Sequence, residues 1–69
     1  MRSIMVTIDQ EFAESRSLPN NIGLVLRGPY EKTIKLTKTL ESCEMMYDIL
    51  IDGNVYELIP AVYCKKLRR

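Results

Sequence analysis

One tight turn, at Asp52 and Gly53, most constrains the fold of this 69-residue chain. Asp-Gly followed by Asn favours the positive-φ conformations of a two-residue hairpin turn. Alternating segments flank it, residues 45–51 before and residues 55–59 after. The turn therefore predicts two antiparallel strands. Their outer faces carry a polar and aromatic mixture suited to a binding surface: Tyr47, Asp48, Tyr56 and Glu57.

Further strand-like segments alternate over residues 3–9, 21–28 and 32–40, and a short turn leads into a last strand within 61–67. Residues 11–21 are rich in Ser, Pro and Asn. They predict a long first loop with a short helix over 11–16 and one anchor, Phe12 or Leu18. Asp48 is predicted to be a solvated strand residue. The alternation predicts an inward face made of Ile22, Leu24, Leu26, Ile34, Leu36, Ile49 and Ile51.

Short strands without a strong helix predict an all-β fold. Closing them into a small five-stranded barrel with a long first loop removes exposed sheet edges. The whole chain, 1–69, reads as one such domain with a short basic tail. A domain of this size buries only about 60% of its unfolded surface, so we expect a partner to add stability. No apolar run approaches the ~20 residues of a membrane span.

The composition argues against several kinds of chemistry. The chain has no His, and Cys43 and Cys64 lack the second ligand pair of a zinc site. No apolar stretch of signal length follows Met1, so we expect a reducing setting and free thiols that fill space. The three glycines form no phosphate loop, and the turn itself accounts for Asp52. We expect no catalytic residue, metal, cofactor or small-molecule substrate.

The order of several motifs resembles a known family. The segments "IGLVLRG", "YDILIDGNVYELIP" and "YCKKL" are similar to the small SH3-like barrel proteins of tailed, especially marine, bacteriophages. The first strand departs from the Gly-Asp-Leu-Val type, and Glu57 or Leu58 replaces an aromatic residue. The resemblance covers residues 22–67 and implies an SH3-like barrel; some of its members are virion components. Matching positions are Gly23, Leu24, Val25, Leu26, Tyr47, Leu50, Asp52, Gly53, Val55, Pro60, Tyr63 and Leu67.

Two tyrosines and the basic tail are the candidate partner-binding residues. Tyr30 and Tyr56 lie near turns, whereas Tyr47 and Tyr63 are expected to be partly buried with the hydroxyl at the rim. The formal charge is +1, and the four tail cations leave −3 on the remaining chain. The candidate set is therefore Tyr30, Tyr56, Lys65, Lys66, Arg68 and Arg69.

These observations favour a non-enzymatic structural or interaction module. It would act as an oligomer or in a larger protein assembly, such as a phage virion, without contacting a membrane. A second interpretation is a KOW-like nucleic-acid or transcription-apparatus binder that uses the basic tail; in the first interpretation nucleic acid is secondary. A third is a small phage inhibitor of a host enzyme. The expected location is the virion or the host cytoplasm.

Overall fold

The computed structural model describes residues 4–67. Five antiparallel strands form one open sheet, which confirms the all-β prediction. A short α-helix, α1, spans Gln10–Ser15, and a 3₁₀ helix spans Ala61–Tyr63. The strands are β1 (Ile4–Ile8), β2 (Ile22–Lys35), β3 (Glu41–Ile51), β4 (Asn54–Pro60) and β5 (Cys64–Lys66).

The strand order is β4-β3-β2-β1-β5, so the first strand lies between the second and the last. Thr7 of β1 stands opposite Lys65 of β5. Two strands separate β1 from β4 in the sheet, yet side chains from both strands meet in one core. The sheet must therefore curl around that core. The buried core residues are Val6, Ile8, Ala13, Ile49, Ile51 and Ile59.

The hairpin turn agrees with its prediction. Ile51 and Asn54 are the last paired residues, and Asp52 (φ 49°) and Gly53 (φ 84°) both have positive φ between them. The predicted burial of Ile49 and Ile51 is confirmed, since neither exposes any surface. Local turn chemistry and strand alternation thus define the β3–β4 hairpin together.

The first loop contains the short helix that its sequence predicts, displaced by one residue. The Asp9 carboxylate accepts a hydrogen bond from the Phe12 N–H at 3.1 Å and caps the helix start. Ala13 is the buried helical residue, while Phe12 and Leu18 both lie half-buried against the core. The loop therefore covers the core with three residues rather than with one anchor.

The predicted phase of β2 is wrong over residues 22–26. Ile22 is 41% and Leu26 50% exposed, and Leu24 is only half-buried. Gly23 and Val25 face the core instead. A Cβ on Gly23 would lie 2.8 Å from Ile51 Cγ1, so the missing side chain lets β3 pack closely.

The distal halves of β2 and β3 leave the core as a two-stranded arm, defined here as residues 31–45. No residue of the arm is buried. Ile34 is half-buried and Leu36 is 60% exposed, so the predicted burial of Leu36 is wrong. The arm accounts for an elongated chain with extents of 43 × 28 × 20 Å.

Candidate functional site

A polar cluster lies on the outer face of the sheet where β2, β3 and β4 are irregular. Register shifts interrupt the β2–β3 pairing on both sides of Arg27 and the β3–β4 pairing between Tyr47 and Ile49. The Tyr30 hydroxyl donates a hydrogen bond to Asp48 Oδ1. The Arg27 guanidinium lies 4.7 Å from the centre of the Tyr30 ring.

Asp48 is only 6% exposed, so the prediction that it is solvated is wrong. The alternation correctly predicts that Asp48 lies on the outer face. Tyr30 packs against that face and covers the Asp48 side chain. The hydrogen bond to Asp48 raises the pKa of the Tyr30 hydroxyl, and desolvation adds to the effect. A buried carboxylate that accepts a hydrogen bond from a tyrosine hydroxyl serves as a structural acceptor.

An apolar row crosses the outer face of the sheet. The strand register aligns Met5 with Leu24, Leu24 with Leu50 and Leu50 with Val55. The Leu67 N–H donates to the Met5 carbonyl at 2.9 Å, which extends the row past β5. Directly opposed residues share one sheet face, so these side chains form a continuous line. We call Met5, Leu24, Leu50, Val55 and Leu67 the outer row.

The side chains of the outer row are at least partly open to solvent. Val55 is 55%, Leu67 45% and Met5 44% exposed, while Leu24 and Leu50 are half-buried. Single exposed apolar residues are ordinary, but contiguous ones mark interaction sites. The sequence placed Leu24 in the core, so the phase error in β2 hid this surface.

The same outer face continues along the arm. Lys32 stands opposite Glu44, and Ile34 stands opposite Ser42. At the end, the Leu36 N–H donates to the Leu40 carbonyl at 2.9 Å, and these two leucines are 60% and 55% exposed. We call Ile34, Leu36 and Leu40 the arm tip. Apolar groups therefore occur at both ends of the outer face, with charged groups between them.

The predicted partner-binding residues do not form one site. Tyr30 lies on the outer face, whereas Tyr56 stands opposite Ile49 and packs half-buried against the core. Lys65 and Lys66 are exposed, but consecutive strand residues point to opposite faces. The remaining predicted members, Arg68 and Arg69, lie outside the described residues.

A cleft of about 260 Å³ separates the first loop from the 3₁₀ helix. Thr7, Tyr63 and Lys65 contribute to its lining. The Tyr63 ring stacks on Phe12 with a centroid distance of 4.6 Å and an interplanar angle of 16°. Tyr63 is 42% exposed, so it is more open to solvent than the partly buried ring that the sequence predicts.

The two cysteines differ in their surroundings and are unpaired. Cys43 is exposed on the arm, so its predicted role as an apolar filler is wrong. Cys64 lies half-buried against the core, and burial raises its pKa to about 11. Because the thiolate is the nucleophilic form, this raised pKa disfavours attack by the Cys64 thiol at neutral pH.

Within residues 4–67, no three metal-binding side chains converge and no helix has the length and apolarity to cross a bilayer. Comparison with known protein families, curated proteins and solved structures finds no match to this chain.

Proposed function

We propose that this protein is a non-enzymatic SH3-like barrel module that works as a subunit of a protein assembly. The outer row is the observation that carries the proposal, because five apolar side chains line one solvent face of the sheet. A chain with a small core gains stability when a partner covers such a surface.

The strand pairing supports the barrel part of the proposal. β1 pairs with both β2 and β5, so the chain's first and last strands are neighbours. The core draws side chains from β1, β3 and β4, which requires strong curvature. The 3₁₀ helix turns the chain between β4 and β5, the two edges of the open sheet. Strong curvature of a five-stranded sheet favours closure into a barrel.

A virion is the proposed assembly, and the host cytoplasm is the proposed location before assembly. This step rests on the resemblance to phage proteins, which is an analogy between folds. Several matching positions have structural roles: Gly23 allows close packing, and Asp52 and Gly53 form the hairpin turn. They favour a shared architecture, whereas the partner must be identified by experiment.

The environments of the ionisable groups support a non-catalytic role. Tyr30 occupies the buried carboxylate of Asp48, and the raised pKa of Cys64 keeps that thiol protonated. General acid–base and nucleophilic catalysis require groups that can change protonation or attack near neutral pH. The Cys64 thiol does not meet that requirement.

Quantitative mass spectrometry of phage particles purified from cells that express this gene tests the proposal. We expect a fixed copy ratio to the other structural proteins. Recovery only from the infected-cell cytoplasm, bound to a host enzyme, would replace the proposal with the inhibitor interpretation.

Nucleic-acid titration tests the KOW-like alternative separately. A variant with Lys65, Lys66, Arg68 and Arg69 replaced by Gln removes the tail charges and keeps Leu67. Phosphate contacts make affinity strongly salt-dependent. Sub-micromolar binding of RNA or DNA by the parent in physiological salt, lost in this variant, would favour the alternative.

A further inference from the structure

We propose that the outer face of β2 and β3, from the outer row to the arm tip, binds the same face of a second copy of this chain. The two copies would be related by a two-fold axis parallel to these strands. This inference names the partner for the assembly role and therefore rests on the proposed function.

The first supporting observation is the apolar surface that this face leaves exposed. In the outer row, Val55 is 55%, Leu67 45% and Met5 44% exposed, and in the arm tip Leu36 is 60% and Leu40 55% exposed. Contiguous exposed apolar side chains mark interaction sites. Each partner in a standard stable interface buries about 800 Å².

The second observation is that charge is segregated on this face. Arg27 and Lys32 lie on β2, and their register partners Asp48 and Glu44 lie on β3. A two-fold axis between the strands and parallel to them puts β2 over the partner's β3. Each Lys32 then faces the partner's Glu44, which is the charge complementarity that a specific interface needs.

The same two-fold axis also brings the apolar groups of the two copies together. Rotation about this axis does not change the position of a residue along the strand direction. The outer row of one copy therefore contacts the outer row of the other copy, and the two arm tips contact each other. A two-fold axis perpendicular to the strands would instead stack β2 on β2 and bring cations together. The parallel axis also gives the aligned strand directions of ordinary sheet-on-sheet packing.

The polar cluster would occupy the centre of this interface. Tyr30 and Arg27 are stacked and lie between the two apolar ends. Tyrosine and arginine are enriched among the residues that dominate binding energies near interface centres. The predicted partner-binding role of Tyr30 fits this position, whereas Tyr56 on the opposite face is not part of it.

The experiment is sedimentation equilibrium of the purified full chain over a wide concentration range. We expect the parent to reach twice the chain mass of 8.0 kDa. Lys32→Glu and Glu44→Lys should each weaken the dimer at least about tenfold, because like charges then face each other. The double exchange, Lys32→Glu with Glu44→Lys, should restore it.

The arm provides a matched control. Lys35 stands opposite Glu41 in the same arm, three residues from Lys32 and Glu44 along each strand and therefore on the other face. Lys35→Glu and Glu41→Lys disturb an equivalent cross-strand pair without touching the proposed interface. We expect both variants to dimerise like the parent.

Three results would overturn the inference. The parent could stay monomeric, the double exchange could fail to restore dimer affinity, or the Lys35 and Glu41 variants could lose as much dimer affinity as the Lys32 and Glu44 variants. The particle experiment fails independently of this one. A monomer found in virions at a fixed ratio removes only the dimer, whereas a dimer absent from virions removes only the proposed function.

Discussion

The two halves of β3 belong to one continuous strand but have different surroundings. In the half next to the turn, Ile49 and Ile51 are fully buried, and the β1, β2 and β4 strands surround them. In the arm half, only β2 pairs with the strand, and Met45 is 45% exposed. Alternation therefore defines which residues share a face, but the neighbouring strands decide whether that face is covered.

The largest expected effect tests this contrast directly. Ile49→Ala should lower the free energy of unfolding by about 2–5 kcal/mol, through lost burial and a cavity. Ile34→Ala in the arm should cost the monomer less than about 1 kcal/mol, because Ile34 is only half-buried there. Urea unfolding at one protein concentration measures both. Similar losses would mean that the arm packs as tightly as the core.

The second prediction concerns the close approach at Gly23. Gly23→Ala should destabilise the chain by about 1–3 kcal/mol, since its methyl group meets Ile49 and Ile51. Gly53→Ala is the control, because its Cβ meets no atom within 4 Å and only the positive φ opposes it, at about 1 kcal/mol. Thermal and urea unfolding should show a larger loss of stability for Gly23→Ala than for Gly53→Ala. The reverse order would show that β3 can move away from β2.

The third prediction concerns the boundary between core and arm. Tyr30→Phe should lower the free energy of unfolding, because it leaves the buried Asp48 carboxylate without its donor. Tyr56→Phe keeps a ring on the opposite face and should change stability less. If Tyr30→Phe is neutral in urea unfolding, Asp48 does not depend on that hydroxyl.

The smallest effect should appear at high pH. Burial raises the pKa of Cys64 from 9.0 to about 11, so the folded state holds this proton more tightly. The contribution of the Cys64 proton to the free energy of unfolding is fully present below pH 9.0. It is lost as the pH rises through about 11. Urea unfolding should show a decline over this window that Cys64→Ala makes shallower.

Tyr30 must be controlled in that measurement, since its raised pKa acts in the same direction. The comparison is therefore best made in a Tyr30→Phe background. An unchanged slope after Cys64→Ala would assign the decline to other groups.

Sequence reasoning succeeded where the information is local. The Asp52-Gly53 turn, the short helix after Asp9 and the burial of Ile49 and Ile51 each follow from neighbouring residues. The phase of β2 failed because both of its faces are apolar near Gly23, and only the position of β3 shows which one is inside. A glycine in the centre of a strand was the available signal.

The candidate site was harder to predict than the fold. The outer row joins four strands and the residue that follows β5, so it exists only after the strand register is set. Tyr30 was a candidate for a different reason, its place near a turn. The burial of Asp48 depends on Tyr30, eighteen residues away, and no local pattern reports such a pair.

The pairing of β1 with β5 has a consequence for the newly made chain. Ile8 stands opposite Cys64, and Val6 stands opposite Lys66. A ribosome adds about 5–20 residues per second, so β1 waits roughly 3–12 s for this partner. Meanwhile the β2–β3–β4 meander can form from contacts closer in sequence, which are faster to make. Val6 and Ile8 can pack on that sheet before the edge strand β5 has been synthesised. β5 is therefore the last strand of the fold to pair.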